Sequence, residues 1–169
     1  MLNSRHILVA IDDFQKAHHL IDYVAELVAG RDDFKIHLFH GTGPLPPQLL
    51  ESPGAEGAAE EERLEAKQAR QQDNWFGRTR NQIEPQLANE KSRLITARVP
   101  DSDIETHLLV LHQRQDLVPQ IIKAARDNDC GTIVVGYNSY PWIQEQFHTH
   151  VSEQLLAESL GSAVCVVRE

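Results

Sequence analysis

The chain has 169 residues, 41% of them hydrophobic and 24% charged, with a formal charge of −9. That length suits one domain of ~100–200 residues spanning 1–169, with a full hydrophobic core. No apolar run approaches the ~20 residues that cross a bilayer. No basic cluster offsets the acidic balance, which argues against a nucleic-acid-binding face. The opening MLNSRHILVAIDD has no basic region followed by an apolar stretch and a cleavage site, so no secretory signal is read and a cytoplasmic location is expected. Two cysteines are too few for a disulfide framework. Cys165, inside an apolar run, reads as a small hydrophobe.

Strand and helix patterns alternate along the chain. Residues 6–11 (HILVAI) are a continuous apolar run of the kind found in buried parallel strands. Ala17, Leu20, Ile21, Val24, Leu27 and Val28 follow at helical spacing, and Gly30 supplies a stop. Residues 34–39 (FKIHLF) form a second strand. Glycine and proline crowd residues 41–57, which read as an irregular, mobile loop insertion. An extended helical region over 58–97 opens with Glu60, Glu61 and Glu62, where a helix N-terminus favours negative charge. Its seam is Ala69, Phe76, Ile83, Leu87 and Leu94, and Pro85 predicts a kink or a division into two helices.

The third strand is 104–111 (IETHLLVL). Asp116 is positioned to cap a helix with Pro119 in its first turn. Residues 132–135 (TIVV) make the fourth strand. Val151, Leu155, Leu156 and Leu160 mark the buried stripe of a last helix that Gly161 ends, and 163–167 (AVCVV) is the fifth strand. Five strands joined through helices imply an α/β fold with a parallel sheet. Ligands in such sheets bind at the carboxyl ends of the strands, where strand order reverses. If strands one and four are neighbours there, Asp12 and Asp13 face the stretch from Gly136 to His150.

ILVAIDD, IHLFH, TIVVGYNS, VSEQLL and SAVCVV, in that order, resemble the universal stress protein family. The resemblance implies a flavodoxin-like or Rossmann-like α/β sandwich with a mainly parallel sheet of order 3-2-1-4-5, usually dimeric and without established catalytic chemistry. Its ATP-binding branch carries glycine, two residues, glycine, nine residues, then glycine and serine or threonine. Those positions fall here on Gly136, Ser139, Thr149 and His150, so one of the four is kept. The implied nucleotide-site candidates are Ala10, Asp12, Gly136, Ser139, Thr149, His150 and Val151. Gly41 replaces the family's apolar residue after the strand-two histidine.

A non-glycine residue in a phosphate loop brings strain of ~1–3 kcal/mol. Losing two charge-assisted hydrogen bonds of ~1.5–3 kcal/mol each turns a micromolar site into a roughly millimolar one. The expectation is a degenerate site and a binding or regulatory module with no required cofactor, rather than an enzyme. The alternative is an ATP-binding sensor with slow hydrolysis.

A second alternative is a receiver-like phosphoprotein using Asp12 and Asp13. It lacks the third aspartate and the lysine such domains need, since His112 and Arg168 stand in those places. His148 and His150, with His18 and His19, offer nitrogen donors but no cysteine or carboxylate quartet, and read as solvent-facing caps. No metal is expected. Trp75 and Phe76 read as packing against the sheet or the added loop, with an unknown protein partner the alternative. The last strand, at a sheet edge in the implied order, is expected to form a homodimer.

Overall fold

The computed structural model describes residues 2–50, 54, 57–111, 116–137, 150–159 and 161–168. Five strands build one sheet: β1 (Asn3–Ile11), β2 (Lys35–Thr42), β3 (Ile104–Val110), β4 (Cys130–Gly136) and β5 (Ala163–Val167). Every neighbouring pair is parallel, and the order is β3-β2-β1-β4-β5. The expected topology is therefore the observed one.

The described residues also form four α-helices: α1 (Ala17–Val28), α2 (Ala58–Thr96), α3 (Leu117–Asp127) and α4 (Val151–Glu158). Successive strand side chains alternate between faces. Ile7, Val9 and Ile11 join one core with Ile21 and Val24 of α1 and Leu87 and Leu94 of α2. Leu8 and Ala10 join the other, with Ile121 of α3 and Leu155 of α4. The central strand is thus buried on both faces, which explains why its sequence is an unbroken apolar run. Gly30 and Gly161 follow α1 and α4 at φ +70° and +92°, a left-handed conformation in which only glycine escapes the Cβ penalty.

Several boundaries differ from expectation. β2 continues to Thr42 because Gly41 and Thr42 pair with Leu109 and Val110 of β3, so the loop begins two residues later than its composition suggests. Residues 44–50 are also fastened rather than loose. Leu45 is buried, and a 3-10 turn covers Pro47–Leu49. The Leu49 carbonyl accepts hydrogen bonds from Gln68 Nε2 at 2.9 Å and Gln72 Nε2 at 2.7 Å.

Pro85 does not divide the helical region, and α2 runs unbroken for 39 residues. The carbonyl that Pro85 leaves without a partner belongs to Asn81, and both residues are exposed, so water can take the place of the missing N–H. Ala69, expected on the buried seam, is exposed, while Phe76 and Ile83 are half-buried. Arg93 ties the C-terminal part of α2 to α1 through Asp22, at 3.1 Å. Asp116 precedes α3 as expected but makes no side-chain capping bond. Leu156, assigned to the buried stripe of α4, points outward at 61% exposure, whereas Val151 and Leu155 are buried.

Candidate functional site

The switch point lies between β1 and β4, where the connections leave the sheet in opposite directions. Three strand ends meet there: Ile11-Asp12 after β1, Gly136-Tyr137 after β4, and Val167-Arg168 after β5. The Tyr137 N–H donates to the Val167 carbonyl at 2.9 Å. The Arg168 guanidinium carbon lies 4.1 Å from the centre of the Tyr137 ring, a cation–π distance. The same ring stacks on His150 at 4.9 Å and 29°. Tyr137 therefore links the end of β5 to the start of α4.

His150 occupies the N-cap position of α4 in an extended conformation. Its N–H donates to Glu153 Oε2 at 3.3 Å, half of a capping box in which a histidine stands where serine or threonine is usual. The helix thereby holds a carboxylate of its own at its positive end. Among the described residues His150 Nδ1 is buried without a hydrogen-bond partner.

On the other side of β1, buried His40 donates from Nδ1 to the Ile11 carbonyl at 2.9 Å and lies against the Phe14 ring in a tilted contact at 4.8 Å. Burial lowers the His40 pKa, opposed by this hydrogen bond and by the charge of Asp12. His40 is consequently a neutral ring that fixes the end of β1. Asp13, read as a solvated loop residue, accepts the Gln15 N–H at 2.9 Å and so closes the turn into α1.

Gly41 marks a close approach. A Cβ built on it would lie 2.7 Å from Leu117 Cδ1, so the first residue of α3 fills the space that an apolar side chain on β2 would need.

Of the sequence candidates, Asp12, Gly136 and His150 stand at this switch point. Ala10 and Val151 belong to the core, so each offers a ligand only its main chain. Ser139 and Thr149 lie outside the described residues, as do His112 and His148. Trp75 and Phe76 are half-buried and contact each other edge to face at 5.5 Å.

Sequence reasoning missed the Tyr137–Arg168 contact, because residues 31 positions apart meet only through β4–β5 pairing. It also missed a second constellation. His37, Glu105 and His107 bring three metal-type donor atoms within 4.8 Å of one another. Burial lowers the pKa of His37 and of His107, opposed in each case by Glu105. The alternation Glu105-x-His107 was the available signal, since such residues share a strand face. Placing them beside His37 requires the β2–β3 register.

Strand order and crossover pattern together define a flavodoxin-like α/β sandwich with its switch point between β1 and β4. The family model described as "Universal stress protein family" matches residues 3–167, and the chain belongs to that family. No curated protein matches it.

Among solved structures it is similar to a universal stress protein family member from Burkholderia pseudomallei, at 20% identity and TM-score 0.57 over 97% of this chain and 96% of that one. A universal stress protein described in complex with cAMP aligns at 14% identity and TM-score 0.61, covering 98% and 97%. The universal stress protein from Archaeoglobus fulgidus, described in complex with dAMP, aligns at 14% identity and TM-score 0.54, covering 98% of each chain. At these identities the likeness concerns the fold. No helix among the described residues is long and apolar enough to cross a membrane.

Proposed function

We propose that this protein is a non-enzymatic regulatory binding module whose switch-point site is closed to tight ATP binding. The observation that carries the reading is Glu153 at the N-terminus of α4. A phosphate gains from a helix N-terminus because unpaired N–H groups and the dipole favour an anion. Here a carboxylate already sits there, hydrogen-bonded to the His150 N–H. A triphosphate would meet a like charge at that point, with Asp12 and Asp13 adding negative charge at the end of β1.

Leu117 supports the same reading by filling the room beside Gly41. The degenerate glycine pattern at Ser139, Thr149 and His150 adds the backbone part of the argument.

The second reading is a weak adenine-nucleotide sensor. It is favoured by the two similar structures described with cAMP and dAMP, and by the Arg168 cation beside Tyr137. Neither reading assigns a nucleophile or general base, and both treat the protein as a homodimer paired through β5, the sheet edge nearest the site.

Calorimetric titration with Mg·ATP, dAMP and cAMP tests the proposal. ATP should bind more weakly than about 100 μM, the consequence of losing roughly two charge-assisted hydrogen bonds. Low-micromolar ATP affinity would overturn it. Millimolar ATP binding together with micromolar dAMP or cAMP binding would favour the sensor.

A further inference from the structure

We propose that His37, Glu105 and His107 form a binding site for a divalent transition-metal ion of the zinc type, pinning edge strand β3 to β2. The site lies on the sheet face that carries Phe39, near the amino ends of the two strands and away from the switch point. His37 pairs with Glu105 in the parallel register, and His107 follows two residues along β3 on the same face.

The three donor atoms form a compact triangle. His37 Nδ1 is 3.1 Å from His107 Nε2 and 3.6 Å from Glu105 Oε2, and the remaining edge is 3.8 Å. A point equidistant from the three atoms lies about 2.0 Å from each. Zinc binds imidazole nitrogen at ~2.0–2.1 Å and carboxylate oxygen at ~2.0–2.2 Å, so the triangle has the right size without rearrangement of the backbone. Two histidines and a carboxylate make a recognised zinc donor set with a fourth position for water. Exposure rises from a His37 side chain at 5%, through His107 at 30%, to Glu105 at 59%, which leaves a route for an ion from solvent.

Burial separates this cluster from an ordinary surface ion pair, since the His37 side chain is only 5% exposed. A metal on Nδ1 places the ring proton on Nε2, which is buried without a hydrogen-bond partner among the described residues in the metal-free chain as well. His6 stands beside His37, with rings 6.2 Å apart, but its Nδ1 is engaged by the Asn128 carbonyl at 3.1 Å. It is therefore not counted among the ligands.

The test titrates the full-length protein, stripped with chelator, with Zn²⁺ alone, by calorimetry and by thermal unfolding. The expected result is one saturable site below about 10 μM and a rise in melting temperature that chelator reverses, because binding to the native state alone stabilises it. Glu105→Gln removes a charged ligand from an exposed position and should weaken zinc by at least about tenfold. His107→Gln should do the same or more, by the scale of losses seen when metal-site partners are removed. The double change His18→Gln, His19→Gln, at one half-buried and one exposed histidine, is the control for adventitious binding by other histidines and should leave the affinity unchanged. Three outcomes would overturn the proposal. They are no saturable site in the wild type, wild-type affinity in both Glu105→Gln and His107→Gln, or loss of the site in the His18/His19 variant.

Discussion

Gly41 and Leu117 provide a direct test of how the space beside the end of β2 is filled. Adding one methyl group at Gly41 places it 2.7 Å from Leu117 Cδ1, while Phe39 Cε1 at 3.5 Å and Leu111 Cδ1 at 3.8 Å are in ordinary contact. Leu117 is fully buried and must shift its terminal methyl. Overpacking of this kind costs ~1–3 kcal/mol. Against it stands the ~0.5–1 kcal/mol that alanine gains over glycine inside a strand. Gly41→Ala should therefore destabilise by about 1 kcal/mol. Leu117→Ala alone should cost ~2–5 kcal/mol, because it leaves a cavity in the core.

In the double variant the obstructing methyl is gone, and Gly41→Ala should change sign, stabilising by roughly 0.5 kcal/mol. Urea unfolding of the four proteins, with equal m-values, measures the coupling. If Gly41→Ala costs the same in both backgrounds, Leu117 is not what occupies the space beside β2.

Three further expectations concern other parts of the molecule. Burial lowers the His40 pKa below its ordinary 6.5, so the folded state favours the neutral ring. The associated stability is present above about pH 6.5 and lost as pH falls through that value, with a slope of up to ~1.4 kcal/mol per pH unit. His40→Gln, which keeps a donor for the Ile11 carbonyl, should flatten the acid limb of the stability curve by up to one proton. An unchanged slope would show that His40 does not titrate between the two states. Residual slope is expected from His37 and His107, whose pKa values are lowered too.

The wild type should sediment as a dimer at micromolar concentration, and Cys165→Asp or Val166→Asp on the edge strand should yield monomers; a monomeric wild type refutes pairing through β5. Replacing both Gln68 and Gln72 by alanine removes two hydrogen bonds of ~0.5–1.5 kcal/mol each and should accelerate proteolysis within residues 43–50. Cleavage at the wild-type rate would mean that the buried Leu45, not the glutamines, fastens that segment.

Much of this protein was legible before folding was considered. Unbroken apolar runs such as ILVAI, separated by helical periodicity, require a parallel sheet covered on both faces, and the order of segments pointed to the family and its strand order. Local chemistry was sufficient wherever a single element decided the outcome, as for the stops at Gly30 and Gly161. It failed where an element's neighbours decided. Pairing with β3 carried β2 through Gly41, and exposure to solvent let α2 pass Pro85. Gln68 and Gln72 fastened a segment whose composition reads as loose.

The candidate sites divide in the same way. Asp12, Gly136 and His150 could be placed near one another from the fold class alone, because strand ends and helix starts converge at a switch point. That Glu153 supplies the helix with its own anion, or that Leu117 fills the room beside Gly41, depends on distances set by packing. The His37–Glu105–His107 triangle is the plainest case. Its members are up to 70 residues apart, and only the β2–β3 register brings their donor atoms together. Periodicity determines which face a side chain takes; tertiary structure alone determines which side chain lies beside it.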